Sequence, residues 1–198
     1  MCNTIDPTFG VRGPFIVTTQ SASSKPSGPL ALGFLAVLQD QTGWLGGYLV
    51  TNGWGRPLEF RLTTAVQPNR VQTALYGPTL TEYLHADVIG KTLVEKTGTK
   101  PDLVVTDSLS VLALRSRIEV PVVAVCPPGA VPPNAVTMPH TRTPGGLILP
   151  ARFAGDREAV EELLARVDSA VDLSEPFARV REAVAEARKM GVTNRAAA

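Results

Sequence analysis

Residues 46–83 read GGYLVTNGWGRPLEFRLTTAVQPNRVQTALYGPTLTEY, and this stretch decides the fold. Trp44 to Thr51 and Pro57 to Ala65 are both rich in the aromatic and β-branched residues that suit a pleated surface. Asn52-Gly53 stands between them and supplies the positive φ values of a hairpin turn. Trp54-Gly55 lengthens the connection, so a bulged hairpin is expected. In the second strand Leu58, Phe60 and Leu62 share one face, while Glu59, Arg61 and Thr63 share the other, because side chains alternate along a strand. Gln67-Pro68 then opens a helix with Val71 and Leu75 on its apolar side, and Gly77-Pro78 interrupts it. A second helical stretch, Thr79 to Lys96, carries Leu80, Leu84, Val88 and Leu93 near helical spacing, and Gly98 ends it.

Outward from this stretch, Leu30 to Leu38 (LALGFLAVL) is a continuous apolar run followed by the turn Asp40-Gln41-Thr42-Gly43. Its length favours a strand over a helix, and with the hairpin it makes a three-stranded antiparallel meander. Residues 1–29 read as a flexible leader ending in TTQSASSKPSGP, with one short strand over Phe15 to Thr18. Downstream, Pro101 to Asp107 (PDLVVTD) and Pro121 to Val125 (PVVAV) are short apolar strands around the short helix Ser108 to Ile118. Strand, helix and strand of this kind form a βαβ unit with parallel pairing. Cys126 to Pro150 is a Pro- and Gly-rich connection, expected to be a long loop in which Leu147 to Leu149 either pairs as a small strand or packs on the body. Two amphipathic helices close the chain, about Asp156 to Val171 and about Ser174 to Met190. The expected fold is therefore one α/β domain over residues 30–198 with a mixed sheet and a C-terminal helical pair.

The 198 residues allow one domain of ordinary size. A net charge of +1 supplies no global field toward nucleic acid or an anionic membrane. Cys2 and Cys126 are too few for a disulfide scaffold or a zinc site, which fits a reduced, cytoplasmic protein. No apolar run is long enough to span a bilayer, and the N-terminus lacks the pattern of a signal peptide.

Candidate chemistry gathers at the ends of the parallel strands, where open α/β sheets bind ligands near a switch in strand order. Asp107, Ser108 and Ser110 follow one strand and Cys126 follows the next, so Asp107, Ser108 and Cys126 are the candidate ligand-binding residues. Asp107 or Ser108 equally suits the cap of the following helix. No G-x-S-x-G elbow, P-loop or strand-linked G-x-G-x-x-G is present. Cys126 with His140 is a weak candidate nucleophilic pair, and His85 sits on a helix beside Asp87. Trp44, Tyr48, Trp54, Tyr76 and Tyr83 lie among Arg56, Arg61 and Arg70, a mixture that can stack bases and hold phosphates; core packing is the favoured reading of these aromatics.

The order β-β-β-α-β-α-β over Leu30 to Val125 resembles the ribonuclease H-like fold, and PDLVVTD, a short helix and PVVAV look like the later part of its endonuclease V-type members. The resemblance implies a nuclease that holds magnesium or manganese on several carboxylates, one from the middle of the first strand. Asp40, Glu59 and Asp107 are the acids it would use, but the first strand carries none at its middle. With no intact catalytic motif, a near-neutral charge and a long Pro-rich loop, the leading expectation is a non-catalytic binding or adaptor protein with a protein partner and no cofactor. A metal-dependent nuclease is the alternative, and small-molecule binding at the strand ends is the second. Nucleic acid is the less favoured partner, and the oligomeric state is left open.

Overall fold

The computed structural model describes residues 28–125, 131–141, 143 and 145–191. Cys126 and nearly all of the expected leader, with the strand over Phe15 to Thr18, lie outside the described residues.

The expected meander is present. β1 (Ala31–Asp40) and β2 (Gly43–Asn52) pair antiparallel across a two-residue turn. Asp40 Oδ1 fixes that turn by accepting the backbone N–H of Thr42 at 2.7 Å and its hydroxyl at 2.6 Å. β3 (Pro57–Leu62) pairs with β2, and the register shifts between Val50 and Thr51, which is the expected bulge. The left-handed residue is Gly55 (φ 73°) rather than Gly53. Asn52 Oδ1 accepts the N–H groups of Trp54 and Arg56, so the longer loop closes at its far end.

β4 (Leu103–Thr106) runs parallel to β1, and β5 (Val122–Val125) runs parallel to β4. The connection between β4 and β5 is a 3-10 helix, Leu109–Ser116, tighter than an α-helix. The long loop expected over residues 126–150 is corrected in part. β6 (Ala135–Met138) and β7 (Leu147–Pro150) form a hairpin, and β7 pairs antiparallel with β5. Among the described residues Pro132, Pro133 and Pro139 stand outside the ladder and Pro150 is its last residue, where a missing N–H does no harm. Among the described residues the sheet has seven strands, in the order β3-β2-β1-β4-β5-β7-β6.

The first helix is Arg70–Tyr76, not a helix from Gln67, because Asn69 caps it: its side chain accepts the Gln72 N–H, and Gln72 Oε1 accepts the Asn69 N–H in turn. Its expected apolar side is exposed: Val71 is 65% and Leu75 79% accessible. After a 3-10 turn at Gly77–Thr79 the chain stays helical to Lys96, and Tyr83–Gly90 within it is π-helical. The closing helices are Arg157–Ala165 and Glu175–Lys189.

Alternation of side chains gives the sheet two cores. Leu32, Phe34, Leu49, Val105 and Val123 face the closing helices through Val160, Phe177, Val180 and Val184. Leu35, Tyr48, Val50, Val104 and Ala124 face the other layer through Ile89, Leu93, Val111 and Leu114. Two adjacent glycines let both layers approach β2. A Cβ on Gly46 would strike Ile89, and one on Gly47 would lie 2.6 Å from Val180 Cγ1. Gly33 likewise leaves room for the buried Tyr48 ring.

Candidate active site

The carboxyl end of β4 is where the two helical layers meet the parallel strands. Phe34 pairs with Val105 and Leu35 with Thr106, so the next step places Ala36 beside Asp107. The chain is locked here by Thr106, whose hydroxyl donates to the Leu35 carbonyl at 2.8 Å and accepts the Ser108 N–H at 3.2 Å. Both helical segments flanking β4, Tyr83–Gly90 and Leu109–Ser116, pack in the same layer, so the connections do not change face at β4.

Asp107 continues the alternation toward the closing helices, and Arg181 of Glu175–Lys189 donates to its Oδ2. Burial pushes the Asp107 carboxyl above the ordinary carboxylate range, against the pull of the Arg181 guanidinium. Ser108 holds the N-cap position, yet its side chain makes no capping bond. Its hydroxyl lies 2.9 Å from that of Ser110, which lies 2.6 Å from His85 Nδ1. Neither capping reading is realised: the carboxylate is spent on Arg181 and the hydroxyl on a side-chain chain.

His85 was placed on a helix by sequence, but its link to Ser110 was not foreseen. The two residues are 25 apart and no motif spaces them. The one signal was a polar residue directly after Leu84 on a helix face that turns out to be buried. The π-helical turn carries His85 inward, where Trp44 packs on it with centroids 4.4 Å apart and planes at 62°. Burial holds the imidazole below its ordinary pKa, so it is neutral at neutral pH.

The other predicted acids go elsewhere. Asp40 faces the same layer as Asp107 but is paired with Arg188. It stands four residues beyond Ala36 along β1, about 13 Å at ~3.3 Å per residue, which excludes a shared ion. Glu59 lies opposite Val50 and so faces the other layer. Its carboxylate accepts the backbone N–H of Thr99 at 2.9 Å and of Gly98 at 3.2 Å, and Arg61 Nε donates to it at 2.6 Å. These bonds, that from Thr99 foremost, hold its carboxyl down at about 2. Asp40, Glu59 and Asp107 therefore do not converge. Among the described residues no group of three or more His, Cys, Asp or Glu side chains is arranged to hold a metal ion.

The aromatic cluster also divides. Tyr48 is buried, Tyr76 stacks on Tyr83 at 4.3 Å, and Trp54 is 76% exposed. Trp54 sits on the β2–β3 tip, which lies beside the first residue of β1, because Asn52 pairs with Ala31. It is thus at the opposite end of the sheet from Asp40. His140 lies between β6 and β7, and its proposed partner Cys126 is outside the described residues.

The sequence matches no protein-family model and no curated protein. In three dimensions the chain is similar to an endonuclease V from Bacillus subtilis, with a TM-score of 0.51 and 11% identity over 83% of this chain and 82% of that one. At that identity the likeness is one of fold, α/β with a mixed sheet, and it extends beyond Leu30 to Val125, the range on which the sequence resemblance rested. The expectation of a non-catalytic adaptor is corrected by this finding: the solved structure that shares the fold is an endonuclease V.

Proposed function

We propose that the chain is a nuclease of ribonuclease H-like order that acts on phosphodiester bonds of nucleic acid at the carboxyl end of β4. The observation that supports this reading is the shared fold with an endonuclease V over four-fifths of both chains. Asp107 and Arg181 add to it, since a half-exposed guanidinium at that strand end suits a phosphate. Two cysteines in 198 residues fit a cytoplasmic setting. Among the described residues no helix is long and apolar enough to cross a membrane.

Divalent metals usually supply the nucleophile and charge neutralisation in this class of reaction. The described residues do not fit such a centre. Asp107 stands beside Ala36 and is taken by Arg181, while Glu59 and Asp40 are held elsewhere.

The full chain should be incubated with end-labelled single-stranded DNA, duplex DNA and RNA, with added magnesium or manganese and with EDTA. The expected result is cleavage of at least one substrate that persists in EDTA. Arg181→Ala should slow it about 10²-fold, the usual cost of losing one donor to a charged transition state. No cleavage of any substrate in either condition overturns the nuclease reading. Cleavage abolished by EDTA overturns the metal-free assignment.

A further inference from the structure

Ser108, Ser110 and His85 make a continuous line of side-chain hydrogen bonds from the mouth of β4 into the buried layer. The two serines are half-buried, whereas His85 is 4% accessible. His85 Nε2 is buried and has no hydrogen-bond partner, so the ring's polar function is spent entirely through Nδ1. The relay runs with the imidazole proton on Nε2, the tautomer in which Nδ1 accepts. The lone pair is then on Nδ1, Ser110 donates to it, and Ser110 Oγ is left to accept from Ser108. Ser108 is also fixed in position, because its N–H is bonded to Thr106 and Thr106 is bonded to β1.

We infer that Ser108 is a nucleophile toward phosphodiesters, that Ser110 relays its proton, and that His85 is the base at the buried end of the relay. This rests on the nuclease reading for its substrate and on the geometry alone for its nucleophile. The Ser108 hydroxyl proton passes to Ser110 Oγ as the Ser110 proton passes to His85 Nδ1. Ser108 Oγ forms a bond to phosphorus, and the bond to the leaving ester oxygen breaks with its electron pair on that oxygen. The leaving oxygen takes the proton back through the relay, and water then hydrolyses the serine phosphodiester by the same route in reverse. Ser108 is the catalytic residue, while Ser110 and His85 are positioning residues that act through it.

The test is covalent labelling of the full chain with a fluorophosphonate, located by peptide mass spectrometry. Label is expected on Ser108, absent in Ser108→Ala, and slowed roughly 10²-fold in Ser110→Ala and His85→Gly, the scale of a lost general base. Added imidazole should restore labelling of His85→Gly, which a purely structural histidine would not allow. Ser110→Ala leaves the buried His85 without its hydrogen bond and should unfold at a lower temperature, so Ser110→Thr, which keeps the hydroxyl, is the control: it should label near the parent's rate and report on chemistry even if His85→Gly fails to fold. No label, label on another residue, or an unchanged rate in Ser110→Ala overturns the inference. Label on Ser108 without cleavage of any nucleic acid leaves the nucleophile standing and removes the nuclease reading. Cleavage without label does the reverse.

Discussion

The carboxylate of Glu59 ties edge strand β3 to the turn that leads into β4 through two backbone N–H groups, and Arg61 of the same strand donates to it. Its pKa is held at about 2, below the ordinary 4.5, so the folded state favours the charged form. A lowered folded pKa adds stability above the unfolded value, and that stability is lost as pH falls from about 4.5 toward 2. Glu59→Gln keeps an acceptor but loses the charge. It should cost about 1–2 kcal/mol at pH 7, the difference between charged and neutral hydrogen bonds. Urea unfolding across pH checks this: the gap between variant and parent should close near pH 2, and a gap independent of pH would assign the effect to shape. Sequence alternation sets Glu59 on the face opposite Leu58 and Phe60, but those two are exposed and Glu59 is half-buried, the reverse of a buried apolar face and a solvated polar one. It could not show that this face meets Gly98 and Thr99, which are 39 and 40 residues away.

Among the elements, those with strong local signals were legible. The meander and the βαβ unit follow from turn residues and apolar runs within a few residues of one another. Of the β6–β7 hairpin, β7 is one of two readings of Leu147 to Leu149 and β6 is not read at all, because a four-residue strand beside prolines carries too little pattern. Helix Arg70–Tyr76 failed in the opposite sense. Its Val71 and Leu75 match an apolar stripe, yet no described element covers them. The approach of the C-terminal helix Glu175–Lys189 to the sheet depends on Gly47, whose missing Cβ leaves space for Val180 and Val184. Gly47→Ala should therefore cost about 1–3 kcal/mol by overpacking. Because Arg181 adjoins Val180 on that helix, the shift should also loosen its pairing with Asp107. Chemical denaturation measures the first effect. Nucleic-acid cleavage measures the second, and it should fall although residue 47 touches neither Asp107 nor Ser108. Unchanged cleavage in a destabilised Gly47→Ala would mean that the helix gives way without moving Arg181.

At the scale of the whole molecule, the site joins parts that are distant in sequence. Asp107 and Ser108 directly follow β4, His85 comes from the helical layer on one side and Arg181 from the closing helix on the other. Sequence reading found the strand end, and with it Asp107 and Ser108, because apolar runs mark where strands stop. It names His85 on a helix without its link to Ser110 and does not single out Arg181; only the stacking of two layers on one sheet brings both to that end. This arrangement separates two roles for Arg181. If it serves only to neutralise the half-buried Asp107, its loss leaves that carboxylate unpaired and lowers stability without touching ligand affinity. If it also meets a backbone phosphate, Arg181→Ala should weaken nucleic-acid binding about ten-fold and reduce the slope of log affinity against log salt by about one, as one phosphate contact disappears. Titrations of parent and variant at several salt concentrations distinguish the two, since a variant that binds more weakly with the parent's slope has lost structure and not a phosphate contact. Arg181→Lys should keep the slope, because the charge remains, while losing the planar fork that lets one side chain hold Asp107 and a phosphate together.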